Sequence, residues 1–150
     1  MMRSPKKVLV VDDNEILLRA WERMLAEEGC SSFCTSNPET ALERLETEGA
    51  DLLISDIVMP RMDGFDLVQK AQRIIKNLKI VLTTGYVCDF SRIHLTLEPH
   101  DLHILLKPFN DIRDVEGLIH RLLEDDPSLD SEGTEVFTNP EDLRIHMWTL

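Results

Sequence analysis

Val8-Leu9-Val10-Val11-Asp12-Asp13 decides the fold of this chain. Four apolar residues run without interruption and stop on two adjacent acids. An uninterrupted run, unlike an alternating one, marks a strand covered on both faces, as in a parallel sheet. The same kind of run recurs at Leu52-Leu53-Ile54, Ile80-Val81-Leu82 and Ile104-Leu105-Leu106, with a weaker one from Cys30 to Thr35. Between the runs lie stretches with helical periodicity. Leu17, Trp21, Met24, Leu25 and Glu28 follow the first run, in a helix beginning near Glu15. Asn37 caps the second helix, with Pro38 at its first position, then Ala41, Leu42 and Leu45, and Gly49 stops it. Phe65, Val68, Ala71 and Ile75 follow Asp63-Gly64 in a third. Ile112, Val115, Leu118, Ile119 and Leu122 form the last, behind an Asn110 or Asp111 cap. The stretch from Val87 to Asp101 is cut by Pro99 and reads as a loop or a short helix. Five strands alternating with five helices predict a doubly wound α/β domain with right-handed crossovers.

A length of 150 residues suits one such domain, and 43% apolar residues suffice for its core. The formal charge is −12, which excludes the basic face of a free-standing nucleic-acid binder. Residues 124–150 hold eight acids (Glu124, Asp125, Asp126, Asp130, Glu132, Glu135, Glu141, Asp142) against Arg144 alone, or −7 of that total. The helical pattern fails near Asp126. Pro127, Ser128, Asp130, Ser131, Glu132 and Gly133 compose a linker, and Asn139-Pro140-Glu141-Asp142 resembles a helix start. The expected division is therefore a domain over 1–125 and an acidic extension over 126–150, with a short helix at 139–150. No uninterrupted apolar segment reaches membrane-spanning length, and Val8–Val11 is too short for a signal peptide. Three cysteines form no disulfide framework and point to a reducing cytoplasm. Cys30 and Cys34 read as small buried hydrophobes on one strand face. His94, His100 and His103 do not follow a zinc motif.

In a doubly wound sheet the function sits beyond the C-terminal ends of the strands. The runs end in Asp12-Asp13, Ser55-Asp56, Thr83-Thr84-Gly85 and Lys107-Pro108, so three carboxylates, a hydroxyl and an ammonium converge on one edge. Three clustered carboxylates repel one another unless a cation intervenes. Hard oxygens with room for water suit Mg²⁺ or Mn²⁺. A metal and an ammonium around a carboxylate are what an incoming phosphoryl group requires, and one carboxylate can itself be the nucleophile. A blander reading has Asp12 or Asp13 capping the first helix, which explains one aspartate but not the pair. Thr83 and Thr84 compete for the hydroxyl role, and alternation along a strand lets only one face the site.

Four pieces in order carry a resemblance: Val10-Val11-Asp12-Asp13, then Asp56-Ile57-Val58-Met59-Pro60 with Asp63-Gly64, then Thr84-Gly85-Tyr86, then Lys107-Pro108-Phe109. Over roughly residues 6–125 the sequence resembles the receiver domain of two-component response regulators. The resemblance implies a flavodoxin-like (βα)5 fold with strand order 2-1-3-4-5. It further implies Asp56 as phospho-acceptor, with Mg²⁺ on Asp12, Asp13, Asp56 and the Val58 backbone carbonyl. Lys107 would bridge the acidic cluster and the phosphoryl group, Thr84 would be the switch hydroxyl, and Lys107-Pro108 is a candidate cis bond. The implied function is a phosphorylation-controlled switch rather than a metabolic enzyme. A sensor histidine kinase or a histidine phosphotransfer protein donates the phosphate, and the output is a downstream protein or a homodimer. Where the family places an aromatic residue three positions before the lysine, this chain has Ile104, which cannot hydrogen-bond through its tip. The expected signal path is then movement of residues 87–104. Val58 and Tyr86 flank the site and predict a long-lived phosphoryl group, because apolar neighbours hinder water. The competing readings are a receiver-like docking module that is never phosphorylated, a receiver fragment of a longer transcriptional regulator, and an aspartate-nucleophile phosphatase. The phosphatase wants a second acid two residues after Asp56, where this chain has Val58.

Overall fold

The apolar runs do become strands. The computed structural model describes residues 4–85, 101–125, 134–138 and 144–148. Its elements are β1 (Lys7–Val11), α1 (Glu15–Glu27), β2 (Ser31–Thr35), α2 (Pro38–Glu48), β3 (Leu52–Asp56), α3 (Gly64–Ile74), β4 (Lys79–Thr84), β5 (Asp101–Leu106), α4 (Ile112–Leu123), β6 (Thr134–Thr138) and β7 (Arg144–Trp148). The first five strands are all parallel in the order β2-β1-β3-β4-β5. Alternating strand residues sort into two cores. Leu9, Val11, Leu53, Ile80, Leu82 and Ile104 meet Ala41, Leu45, Phe65 and Val68 of α2 and α3 on one face. Val8, Val10, Ile54, Val81 and Leu105 meet Trp21, Leu25, Leu118 and Ile119 of α1 and α4 on the other. Burial on both faces explains why the runs are continuous rather than alternating.

Helix ends are set locally. Asn14, not Asp12 or Asp13, is the N-cap of α1, its side chain accepting from the Ile16 and Leu17 amides. That removes capping as the reason for the aspartate pair. Asn37, Asp63 and Asp111 cap the other three helices. The buried stripe of α1 is Leu18, Trp21, Met24 and Leu25, so Leu18 takes the place expected for Leu17. Ile75 is the C-cap of α3 and lies outside it. Cys30 precedes β2 rather than lying in it. Cys30 and Cys34 are both half-buried, and burial raises both thiols, Cys34 to about 11. Among the described residues no helix is long and apolar enough to cross a membrane.

The C-terminal extension departs from expectation. Residues 144–148 are not helical; they form β7, parallel to β5, and β6 lies antiparallel to β7 as the outermost strand. Among the described residues the sheet thus has seven strands. The physical reason is that β5 offers an edge of unpaired backbone groups, while Thr134, Val136, Phe137, Ile145 and Trp148 are residue types that favour strands. Asn139-Pro140, read as a helix start, falls between the two strands and outside the described residues. Trp148 is buried against the α1/α4 core, and its indole N–H donates to His103 Nδ1 at 3.0 Å. Replacing Trp148 with Phe removes that donor and part of the packing. The variant is expected to lose about 1–3 kcal/mol of stability in urea denaturation; an unchanged midpoint would mean the extension does not stabilise the sheet.

Candidate functional site

Asp12 follows the last residue of β1, Asp56 ends β3 and Lys107 follows β5, so the sheet itself delivers all three groups to one edge. Lys107 Nζ reaches across the end of β4 to Asp12 Oδ2 at 2.8 Å and Asp56 Oδ2 at 3.1 Å. Its backbone N–H donates to the Thr84 carbonyl at 2.8 Å, and the following Lys107-Pro108 peptide is cis. Asp12 and Asp56 are buried, whereas Asp13 is exposed. One carboxylate oxygen from each of Asp12, Asp13 and Asp56 lies within 4.8 Å of the others. Asp12 Oδ1 accepts from the Asn14 N–H at 2.9 Å, and Asp56 Oδ1 accepts from the Val58 N–H at 3.3 Å.

The electrostatics follow from burial. Desolvation raises the Asp56 carboxyl above its ordinary value, and the nearby Asp12 adds to that; Lys107 and the Val58 N–H work against it. Burial alone would lower the Lys107 ammonium, but its bonds to Asp12 and Asp56 outweigh this and raise it. Three carboxylates and one ammonium leave a formal charge of −2 (−3 + 1). That residue of charge, on hard oxygens that are partly open to solvent, fits a small dication.

The surroundings are shaped for access. An open cleft of about 870 Å³ is lined by Asp56, Val58, Lys107 and Phe109, together with Ile16 and Ile112. Its rim carries the three exposed large hydrophobics found among the described residues: Ile16 at 80% exposure, Val58 at 56% and Ile112 at 44%. Sequence periodicity assigned Ile112 to the core of α4 and passed over Ile16. The signal was available, since Ile16 sits one residue before the apolar stripe and so points away from it. Phe109 anchors the rim by an edge-on contact with Trp21, ring centroids 5.9 Å apart.

Thr83 and Thr84 are both buried. Alternation sends Thr84 to the face of Leu82 and Ile104, and Thr83 to the face of Val81 and Asp56. Ile104 is wholly buried in the α2/α3 core, opposite Leu82. Tyr86 and the 87–100 stretch lie outside the described residues. Gly64, the first residue of α3, sits where no side chain fits. A Cβ there would lie 2.5 Å from the Asp56 carbonyl oxygen and 2.8 Å from Ile57 Cα. The Gly64 N–H donates to the Ile57 carbonyl at 2.7 Å.

Comparison with known proteins agrees with this geometry. The family model described as the response regulator receiver domain matches residues 8–119. The response regulator receiver protein CpdR of Brucella abortus (strain 2308) is 35% identical over 121 residues, 79% of this chain and 97% of that protein. The alkaline phosphatase synthesis transcriptional regulatory protein PhoP of Bacillus subtilis (strain 168) is 30% identical over 118 residues, but the chain spans only 48% of its length. Among solved structures, a CheY-like receiver domain protein from Methanospirillum hungatei JF-1 superposes with a TM-score of 0.69 at 25% identity, over 83% of this chain and 99% of that one.

The close approach of Gly64 generates a test. Gly64→Ala must push α3 away from the backbone that carries Asp56, with an expected loss of about 1–3 kcal/mol of stability and a weakened site. Wild-type melting temperature in this variant would show that the loop yields freely.

Proposed function

The chain belongs to the response regulator receiver family, and from that membership we propose that Asp56 accepts a phosphoryl group and thereby switches a protein-interaction surface. Family membership makes the domain a phosphoacceptor signalling module. The observation that carries the assignment to Asp56 is the double bond of Lys107 to Asp12 and Asp56 at the floor of an open cleft.

In the transfer, an oxygen of the Asp56 carboxylate attacks phosphorus, and the bond to the donor breaks with its electron pair leaving on the donor. Asp56 must be ionised to attack. Burial opposes that, and Lys107 with the Val58 N–H supports it. Asp12, Asp13 and Asp56, with the Val58 carbonyl, would hold Mg²⁺ or Mn²⁺, which supplies charge neutralisation for the phosphoryl oxygens. Lys107 neutralises the remaining charge, and the Thr84 hydroxyl, at the last position of β4 and on the sheet face opposite Asp56, reaches over the strand ends to bond a phosphoryl oxygen once it has arrived. The aliphatic Ile104 leaves no ring to rotate inward, so the response runs through the 87–104 segment. Val58 at the lip and Tyr86 beyond Gly85 slow the entry of water, giving a long-lived phosphoryl group. The receiver unit is residues 1–125, acting in the cytoplasm.

The donor is a histidine kinase or a histidine phosphotransfer protein, docking on the apolar rim. Ile16, Val58 and Ile112 ring the acceptor and are exposed beyond what a free surface needs. The output partner is a downstream protein or a second copy of the chain. One experiment with two donors tests both levels. Acetyl phosphate with Mg²⁺ is expected to add about 80 Da, one phosphoryl group, and Asp56→Asn to abolish the adduct. Ile16→Asp is expected to leave that reaction unchanged while slowing transfer from a phosphohistidine protein at least about five-fold. An adduct that survives Asp56→Asn refutes the acceptor assignment.

A further inference from the structure

Ser55, one residue before the acceptor, is wholly buried. Its register partners are Val11 and Leu82, so its side chain lies on the α2/α3 face of the sheet, opposite that of Asp56. Its Oγ lies 2.9 Å from the Asp56 carbonyl oxygen, and because a carbonyl only accepts, the hydroxyl donates. Three further bonds continue the series. The Ile57 N–H donates to the Thr83 carbonyl at 2.9 Å, the Gly64 N–H to the Ile57 carbonyl at 2.7 Å, and the Val58 N–H to Asp56 Oδ1 at 3.3 Å. Two peptide units separate the Cα atoms of Asp56 and Val58. The four bonds engage both carbonyls and both N–H groups of those units, so the path from the acceptor to Val58 is clamped throughout. Only the bond from Ser55 is donated by a side chain.

We infer that Ser55 is a positioning residue for the metal site: its hydroxyl holds the Asp56–Ile57 peptide so that the Asp56 carboxylate and the Val58 carbonyl are presented to one cation. The inference rests on the reading of Asp12, Asp13, Asp56 and the Val58 carbonyl as the Mg²⁺ ligands. Ser55 is on the other face of the sheet and acts through the backbone alone. Without its hydroxyl the Asp56 carbonyl becomes a buried acceptor that has lost its donor, which is costly. Gly64 closes one side of that oxygen, since a Cβ on Gly64 would lie 2.5 Å from it. The peptide then turns to recover a donor, through ψ of Asp56 and φ of Ile57. The same two angles aim Val58, whose N–H holds Asp56 Oδ1 and whose carbonyl belongs to the ligand set. Mg²⁺ demands near-ideal octahedral geometry, so a small rotation here costs affinity. Groups that orient metal ligands matter to binding nearly as much as the ligands themselves.

Calorimetric titration of metal-free protein with MgCl₂ reads this, at a temperature where circular dichroism shows each variant folded. Ser55→Ala is expected to bind Mg²⁺ about ten-fold more weakly than wild type. In metal-free protein its Val58 amide is expected to exchange faster, because the clamp is loosened before any cation arrives. Ser55→Thr keeps the hydroxyl and is expected to restore both. Undiminished Mg²⁺ affinity in Ser55→Ala, or an unchanged Val58 amide, overturns the inference and leaves the ligand assignment standing. Equal weakening in folded Ser55→Thr also overturns it, since packing rather than the hydroxyl would then be responsible. Wild-type protein that fails to bind Mg²⁺ overturns the ligand assignment, and the inference with it.

Discussion

Two buried carboxylates share one lysine, and the site depends on that arrangement. Asp12 and Asp56 present oxygens within 4.8 Å of each other. At an effective dielectric of about 20 their repulsion is at least about 3 kcal/mol. Lys107 contacts both at about 3 Å, and each contact returns about 5 kcal/mol on the same scale before desolvation is subtracted. The lysine therefore offsets the buried pair but leaves Asp13 uncompensated. On the proposed reading a dication would relieve the charge that the lysine leaves.

The fold serves this constraint by topology. In a parallel sheet every strand ends at the same edge, so residues far apart in sequence meet without any loop having to reach for them. Asp12 and Lys107 are 95 positions apart. Both faces of the sheet are covered, which dries the strand ends and makes the carboxylates sensitive to their neighbours. Gly64 shows how tightly the loop after β3 is drawn in, since α3 starts against the Asp56 backbone with no room for a side chain.

Much of this was legible in the sequence because strand ends are read from where an apolar run stops. Asp12, Asp56 and Lys107 all follow such runs, and the structure brings them into contact. What periodicity missed are residues at the edge of a pattern. Leu18 is buried and Leu17 only partly so, and apolar spacing alone does not choose between two adjacent leucines. Ile112 fits the apolar spacing of α4 yet sits in its first turn, beyond the sheet's cover. The β6–β7 extension was hidden by its acidity and by Asn139-Pro140. Its strand character depends on an edge that β5 offers in three dimensions, which no local window can see. Register, also non-local, is what sets Thr83 beside Asp56.

The site's formal charge of −2 is the account's most exposed claim, for it requires that a dication relieve what Lys107 cannot. Its direct test is the melting temperature of the protein in millimolar MgCl₂ against KCl of equal ionic strength. A rise specific to Mg²⁺ that disappears in Asp13→Asn is the predicted result, by mass action on the folded state. Identical melting in the two salts would contradict it.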